Sequence, residues 1–265
     1  MKKLFVILTV ICAVSAMAET KTLWSCGFEA EEGYQTGKVV GQCGWYKATG
    51  TITTRDVVAE DPGEAASGDQ YLSYDPSVTD KGKVTAVKFD ISDEYVIAPY
   101  NQLRISWDQA RISRDYRDDT CYVILHNFGE TGRSADIEIA RLRLENNYAG
   151  YTGTKADKSG QLNVTINMSN PDDWHHCCII LDPANRMVKE FTVDDVVIDA
   201  CTDTYYKNES DSASSTRIPR GGELIDGIGV MNKGKYDNFK VELIPEPASL
   251  GLLALLGLFF VRKER

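Results

Sequence analysis

The chain has 265 residues, of which 39 are acidic and 29 basic, and its formal net charge is −10. Without residues 1–18 and 248–265, about 229 residues remain, and they carry 24 basic and 38 acidic residues, a net charge of −14. That length suits one β domain or at most two small ones. The charge disfavours nucleic acid and anionic lipid as partners, because no excess of Lys and Arg is present to neutralise phosphate. Divalent cations, neutral glycans and basic surfaces stay open as partners, as does a solvated acidic surface that keeps the protein soluble.

The first eighteen residues have the organisation of an export signal. Two lysines precede an apolar stretch from Leu4 to Val14, and Ala16 and Ala18 are the small residues that a signal peptidase reads. This pattern predicts cleavage after Ala18, a mature chain that begins at Glu19, and an exported protein.

Six cysteines remain after that cleavage. They are Cys26, Cys43, Cys121, Cys177, Cys178 and Cys201. An even number in an exported chain predicts up to three disulfides, for which fifteen connectivities exist. Cys26 with Cys43 would close a local loop, whereas neighbouring Cys177 and Cys178 in a strand point to opposite faces and need different partners or stay reduced. The absence of a C-x-x-C pair in the sequence argues against a zinc ribbon or a thioredoxin-type site.

Apolar residues alternate with a period of two through most of the mature part. Leu103, Ile105 and Trp107 share one face, and residues 120–128 are rich in β-forming residues. Residues 135–145 and 161–169 alternate apolar with polar residues, and the alternation slips by one residue near position 140. Residues 174–199 are typical of two strands, a tight turn at 194–195 and a further short strand. Long helical patterns are absent from the mature sequence. These patterns predict an all-β, two-sheet antiparallel sandwich or jelly roll.

Three segments carry a resemblance to a known fold family. They are "GFEAEEGYQTGKVVGQCGW", "DDWHHCCIILDPANRMVKEFTVDDVVI" and "IDGIGVMNKGKYDNFKVELIPEP". Together they resemble the concanavalin A-like (laminin-G-like) jelly roll, in which a Trp-His step enters a strand and an x-Val-Asp-Gly hairpin follows. Trp174-His175 and Val193-Asp194-Asp195 take those places, with Asp195 where the family has Gly. The resemblance implies one β-sandwich over residues 19–244.

The same resemblance implies a metal site. Similar carbohydrate modules often bind one structural Ca²⁺ between a Phe-Glu step near the start and an Asp in the final strand, and Glu29 and Asp237 are the matching positions. Hard divalent cations take oxygens from carboxylates and backbone carbonyls, which an edge formed by the first and last strands provides. No D-x-D-x-D-G loop accompanies these residues, and two solvated carboxylates are the alternative.

Some jelly rolls of this kind are glucanases, which place Glu-x-Asp-x-Glu along one strand face. The nearest match is "SADIEIA", where Asp136 and Glu138 share a face but positions 134 and 140 are Ser and Ala. The sequence also gives no local support for a Ser-His-Asp or Cys-His catalytic arrangement. It contains no phosphate-binding glycine loop. His175 and Cys177 would face one side of a strand and His176 and Cys178 the other, which leaves two ligands a side. We therefore expect no catalytic residues and a protein that is not an enzyme.

The last twenty-one residues resemble a sorting signal. Pro245, Glu246 and Pro247 precede a charge-free run from Ala248 to Val261 and a tail of three basic residues, Arg262, Lys263 and Arg265. Fourteen residues of helix reach about 21 Å, whereas a bilayer core is about 30 Å thick. The run is thus short for a permanent span, and the basic tail would hold its end in the cytoplasm. This pattern is similar to the PEP-CTERM signal of Gram-negative bacteria, which implies export, transient inner-membrane retention, cleavage near the prolines by an exosortase, and release to the cell surface or the extracellular polysaccharide.

Aromatic residues in or beside polar loops could stack on sugar rings. They are Tyr116, Tyr148, Tyr151, Tyr205 and Tyr206. The sequence therefore predicts an exported cell-surface or matrix β-sandwich with a structural or glycan-associated role. A carbohydrate-binding, lectin-like module is the first alternative and a divergent glycoside hydrolase the second.

Overall fold

The structure is a computed structural model, and almost every regular element in it is a β-strand. It describes residues 20–47, 56–74, 84–89, 100–111, 121–126, 138–145, 148–154, 161–167, 170, 172–182, 187–198, 204–205, 227–231 and 234–245. The described residues form seventeen strands and one 3-10 turn, Ala30–Glu32. The strands are β1 Lys21–Cys26, β2 Gly37–Lys38, β3 Tyr46–Lys47, β4 Asp56–Glu60, β5 Gln70–Tyr74, β6 Val84–Lys88, β7 Tyr100–Arg111, β8 Cys121–His126, β9 Glu138–Glu145, β10 Tyr148–Thr154, β11 Gln161–Asn167, β12 His175–Asp182, β13 Met187–Val193, β14 Val196–Val197, β15 Thr204–Tyr205, β16 Gly227–Met231 and β17 Gly234–Pro245.

The strands pair in two antiparallel sheets. In the first sheet β17 lies between β7 on one side and β1 and β5 on the other, and β12 and β13 follow β7. In the second sheet the order is β3, β6, β16, β8, β9, β10 and β11. The short strand β15 pairs with both β13 and β10 and so joins the two sheets. The all-β, antiparallel sandwich predicted from the alternating sequence is confirmed.

Alternate residues of the central strands form the core. In β7, Leu103, Ile105 and Trp107 are all 0% exposed, as the period of two predicts. Ile179 and Leu181 of the adjacent β12 are buried to the same extent. Burial of one such side chain stabilises the fold by about 1.5–3 kcal/mol. The pairing of β7 with β12 and β17 is therefore the centre of the first sheet, and it positions the polar residues on the opposite face.

An aromatic cluster closes the core beside the end of β1. Phe28 contacts Tyr34 and Trp45 at ring-centroid distances of 5.2 and 5.6 Å, and it meets Phe239 edge-on at 6.1 Å. The Tyr34 hydroxyl accepts a hydrogen bond from the Trp45 indole N–H at 3.0 Å. Buried aromatic contacts of this kind hold the chain after β1 against β17, so they also fix the position of Glu29.

Cys26 and Cys43 are both free thiols in the structure, so the local loop closure suggested by their spacing is not formed. Cys26 is buried, and its thiol donates a hydrogen bond to the Tyr34 hydroxyl at 3.1 Å, whereas exposed Cys43 lies 3.6 Å from the Glu32 carbonyl. Burial raises the pKa of Cys26 to about 12. The aromatic cluster thus holds the Cys26 sulfur in a contact other than the expected disulfide.

The two cysteines of β12 are also free thiols. Cys177 is buried and faces the core, while Cys178 is half-buried on the opposite face, as their adjacent positions in a strand predict. Burial raises the pKa of Cys178 to about 11. Cys201 and the side chain of Cys121 lie outside the described residues, so disulfides that involve them stay a prediction.

The turn between β13 and β14 has the predicted position. Asp194 and Asp195 have φ angles of +51° and +62°, and Val193 pairs with Val196 across them. Two consecutive positive φ angles define a type I′ hairpin, for which Asn-Gly and Asp-Gly are the preferred residues. Asp195 therefore occupies a left-handed position that glycine would adopt at a lower cost.

The predicted terminal signals lie outside the described residues, namely cleavage after Ala18 and the sorting motif from Glu246 onward. In the part of the chain that the structure describes, no helix is long and apolar enough to cross a membrane. Pro245 is described and is the last residue of β17, where it pairs with Tyr100.

Candidate functional site: a buried carboxylate cluster

Three carboxylates from distant parts of the sequence lie near one another at one end of the first sheet, where Asp108 and Glu29 both contribute to the raised pKa of Asp237. Glu29 follows β1 and precedes the 3-10 turn, Asp108 lies in β7, and Asp237 lies in β17 directly opposite Asp108. We refer to these three residues as the carboxylate cluster. Glu29 and Asp237, the two residues that the family resemblance predicts to lie together, are thus brought to the same region. Asp108 was not singled out in the sequence, because only the register of β17 on β7 places it there.

Asp237 is the most deeply buried member. It is 0% exposed, and its carboxylate accepts hydrogen bonds from the backbone N–H groups of Asn238 at 2.8 Å and Ser67 at 3.3 Å. Burial raises the pKa of Asp237 from 3.8 to about 7; Asp108 and Glu29 add to this rise, and the two backbone amides oppose it. A buried carboxylate whose hydrogen-bond donors are neutral amides carries an uncompensated charge when it ionises.

The local backbone is shaped to bring these groups together. Phe28 and Asn238 have positive φ angles of +61° and +50°, and β17 has a register shift against β7 between Asp237 and Lys240. Such a bulge reorients the side chains next to it. The carboxylate of Glu32 accepts hydrogen bonds from the N–H groups of Gly27 at 2.7 Å and Glu29 at 3.2 Å, which fixes the turn that carries Glu29.

Residues 61–69, which connect β4 to β5, cover the cluster, and we call this segment the strap. The Glu29 carboxylate accepts hydrogen bonds from the N–H of Asp69 at 3.1 Å and of Gln70 at 3.3 Å. Gly68 has a φ of +65°, and a Cβ added to it would lie 2.1 Å from a carboxylate oxygen of Glu29. A side chain at position 68 would therefore displace the Glu29 carboxylate, and the positive φ independently favours glycine there.

The other end of the strap is fastened to β17 and to the start of β12. The Trp174 indole N–H donates to the Glu64 carbonyl at 2.9 Å, and Lys235 pairs with the Glu64 carboxylate. The same ammonium lies 5.7 Å from the ring centre of Tyr71, which meets Trp174 edge-on at 6.0 Å. Lys235 lowers the pKa of Glu64. The strap is thus held at both ends, with the buried Asp237 beneath it.

A chain of polar contacts continues from the cluster across the outer face of the sheet. One Asp108 oxygen accepts from the Asn238 amide at 2.7 Å, and the other lies 2.7 Å from Nδ1 of His176. The backbone N–H of His176 donates to Asp194 at 3.0 Å, and the second oxygen of Asp194 lies 2.7 Å from Nδ1 of His175. As predicted, His175 is buried with Cys177, whereas His176 is exposed on the face of Cys178.

The three members of the carboxylate cluster offer oxygen atoms as potential metal ligands. No group of three or more His, Cys, Asp or Glu side chains among the described residues is arranged as a metal centre. Ca²⁺, however, also takes amide and backbone carbonyl oxygens. Asn238 follows Asp237 in β17, and its side-chain oxygen accepts a hydrogen bond from the Ser67 hydroxyl at 2.8 Å. Carboxylate and amide oxygens are the ligand types that Ca²⁺ takes, whereas zinc prefers nitrogen and sulfur.

The other acidic and aromatic candidates from the sequence fall in other strands or outside the described residues. Asp136 lies outside the described residues, and Glu138 is the first residue of β9. Tyr148 lies in β10 together with Tyr151, and Tyr205 lies in β15, while positions 116 and 206 lie outside the described ranges.

Comparisons with known proteins give structural similarities only. No protein-family model matches the chain, and no curated protein matches it in sequence. The chain is similar to the receptor-binding domain of botulinum neurotoxin D, with 11% identity, a TM-score of 0.43 and coverage of 89% of this chain and 52% of that one. For the binding domain of botulinum neurotoxin serotype G the identity is 7%, the TM-score 0.43 and the coverage 90% and 51%. A carbohydrate esterase from the Shiga toxin-encoding bacteriophage phi24B has 13% identity, a TM-score of 0.49 and coverage of 85% and 100%. The chain spans about half the length of the neurotoxin domains that it matches.

Proposed function

We propose that this chain is an exported β-sandwich protein with a structural role at the cell surface or in the extracellular matrix, and that it is not an enzyme. The observation that carries the proposal is the carboxylate cluster, in which Asp237 is 0% exposed and hydrogen-bonded to backbone amides. A catalytic acid or base must come within hydrogen-bond reach of its substrate. These carboxylates instead fasten the strap, the first strand and the last strand to one another.

The proposal includes one structural Ca²⁺ at the cluster as part of this role. Glu29 and Asp237 would hold the ion, and the Asn238 side-chain oxygen lies within the same bulge of β17. The ion would supply the positive charge that the described contacts of Asp237 lack, because those contacts are two backbone amides. Cation binding to the folded state alone stabilises that state, by about 2.7 kcal/mol at a hundredfold excess over Kd.

The proposal also includes export and sorting through the predicted terminal signals. Pro245 ends β17 in a pair with Tyr100, so Pro245, Glu246 and Pro247 begin where the sandwich ends. This position suits a signal that is removed without damage to the domain. On this proposal a signal peptidase cleaves after Ala18 and an exosortase-type enzyme cleaves near the prolines after transient retention in the inner membrane.

Glycan association is the second candidate, and one observation favours it. Asp108, Asn238 and His176 form a continuous polar row on the outer face of the sheet. Half-buried Trp174 immediately precedes β12, the strand that carries His176. Carboxylate, amide and imidazole groups hydrogen-bond sugar hydroxyls, and an indole face stacks on a sugar ring. An extracellular polysaccharide is the partner that this row would contact.

Calcium-dependent melting of residues 19–244 tests the structural role. We expect addition of Ca²⁺ after EDTA to raise Tm, and we expect Asp237→Asn to abolish the rise. The matched control is Asp173→Asn, since Asp173 is exposed and lies outside the cluster. An equal rise in all three proteins, or none in the wild type, would contradict the proposed ion site.

Activity and binding assays separate the functional candidates. We expect no hydrolysis of β-glucans by residues 19–244. Cleavage that disappears in Glu138→Gln would refute the non-enzyme proposal. On a glycan microarray, binding that is lost in His176→Ala would favour the glycan-associated role over the structural one. For sorting, mass spectrometry of the exported protein should find no residues beyond the proline motif, and an intact Arg265 terminus would contradict cleavage there.

A further inference from the structure

The first and last strands of the described chain lie side by side in the sheet. β1 and β17 pair antiparallel, with Lys21 opposite Leu243 and Cys26 opposite Phe239. Beyond Leu243, β17 continues beside β7 to Pro245, which pairs with Tyr100. The start of β1 and the end of β17 therefore lie at the same end of the sandwich.

Chain length then places both apolar terminal segments at that end. The predicted export segment ends at Ala18, three residues before Lys21, and the apolar run begins at Ala248, three residues after Pro245. Three extended residues reach about 10 Å at most. Each apolar segment must therefore start within about 10 Å of the same edge of the first sheet.

The carboxylate cluster lies toward the opposite end. Asp237 is six residues from Leu243 along β17, which corresponds to about 20 Å of strand, and Glu29 lies beyond the far end of β1. The strap is hydrogen-bonded to Asp237 and so lies at the cluster. Lys38 pairs with Val57, which pairs with Ser73 of β5, and this register places Lys38 slightly beyond Asp237 in the same direction. A tether of about 10 Å is too short to turn this end toward the surface to which the other end is attached.

We propose that the end of the sandwich formed by Lys21, Leu243 and Pro245 faces a lipid bilayer while either apolar segment is still attached. The carboxylate cluster and the strap then point away from the bilayer, toward the extracellular side. The inference rests on the export and membrane retention proposed above, and it adds an orientation that the strand register carries. Both processing steps would act at one lipid-facing end, and both would leave β1 and β17 complete.

Fluorescence quenching from the lipid surface tests this orientation. The full-length chain is reconstituted into vesicles of phosphatidylethanolamine and phosphatidylglycerol that carry a nitroxide quencher on the headgroup. A fluorescent amino acid replaces Lys21 or Gln102 at the proposed lipid-facing end, or Lys38 at the distant end. Lys21 and Lys38 are both exposed, so they form a matched pair. We expect several-fold stronger quenching at positions 21 and 102 than at position 38.

Two controls make the outcomes distinct. Flexible Gly-Ser inserts of about twelve residues, one after Glu19 and one after Pro245, each span about 20 Å on average. With both tethers lengthened, the difference between the label positions should be reduced. Equal quenching at the three positions in vesicle-bound protein would overturn the orientation and leave membrane retention intact. Protein that fails to float with the vesicles would overturn the membrane retention as well as the orientation.

Discussion

Replacement of Asp237 by asparagine is expected to change how the stability of the domain depends on pH. Burial is the main cause that raises the pKa of Asp237 from 3.8 to about 7, with Asp108 and Glu29 acting in the same direction. In the unfolded chain the carboxyl titrates near its ordinary value of about 3.9. Between these two values the folded state holds a proton that the unfolded state has released. The stabilisation from this group is therefore complete below about pH 4 and is lost as the pH rises to about 7.

The magnitude follows from the size of the pKa difference. A shift of one pKa unit corresponds to about 1.36 kcal/mol, and the difference for Asp237 is about three units. The free energy of unfolding of the wild type should thus fall by about 4 kcal/mol relative to Asp237→Asn between pH 4 and pH 8. The asparagine also alters the hydrogen bonds to Ser67 and Asn238, but that change adds a constant offset rather than a slope with pH.

Urea unfolding of residues 19–244 in EDTA, followed by tryptophan fluorescence from pH 4 to pH 8, measures this difference. Asp173→Asn serves as the control, since Asp173 is exposed and its replacement should give a curve parallel to the wild type. If the Asp237→Asn and wild-type curves also run parallel over this range, the buried, proton-holding state assigned to Asp237 is wrong.

The remaining predictions concern the strap and the β13–β14 turn. Gly68→Ala should lower the free energy of unfolding by about 2 kcal/mol, because of the positive φ angle and the contact with Glu29. Gly63→Ala in the same strap should change this free energy by less than about 0.5 kcal/mol. Similar losses in the two variants would refute the close approach of Gly68 to Glu29. Asp195→Gly should raise the free energy of unfolding by up to about 1 kcal/mol, because glycine adopts the left-handed conformation at position 195 without strain. A loss of stability in this variant would contradict the type I′ turn. Trp174→Phe removes the hydrogen bond to the strap and should cost about 1 kcal/mol, so an unchanged urea midpoint would show that this bond does not hold the strap.

Local patterns in the sequence were sufficient for the strands and for one turn. The faces of β7 and β12 follow from the alternation of Leu103, Ile105 and Trp107 and of Cys177 and Cys178, because successive side chains in a strand must point to opposite faces. The Asp194-Asp195 turn follows from residues that tolerate positive φ between two β-rich segments. A register shift between β8 and β9 also lies close to position 140, where the alternation slips.

The carboxylate cluster depends on contacts that no local pattern encodes. Glu29 and Asp237 were placed together by a family resemblance, and their residues alone gave no reason to prefer a shared site over two solvated carboxylates. Asp108 joins them because the bulge in β17 sets the register of that strand on β7, and the strap joins because Gly68 lets it approach Glu29. The sequence spacing likewise suggested a disulfide between Cys26 and Cys43. In the structure both cysteines are free thiols, and Tyr34 and Trp45 pack around Cys26. Periodicity determines which way a side chain points within its own strand, whereas the partner that it meets depends on strand register and on long-range packing, which only the tertiary structure determines.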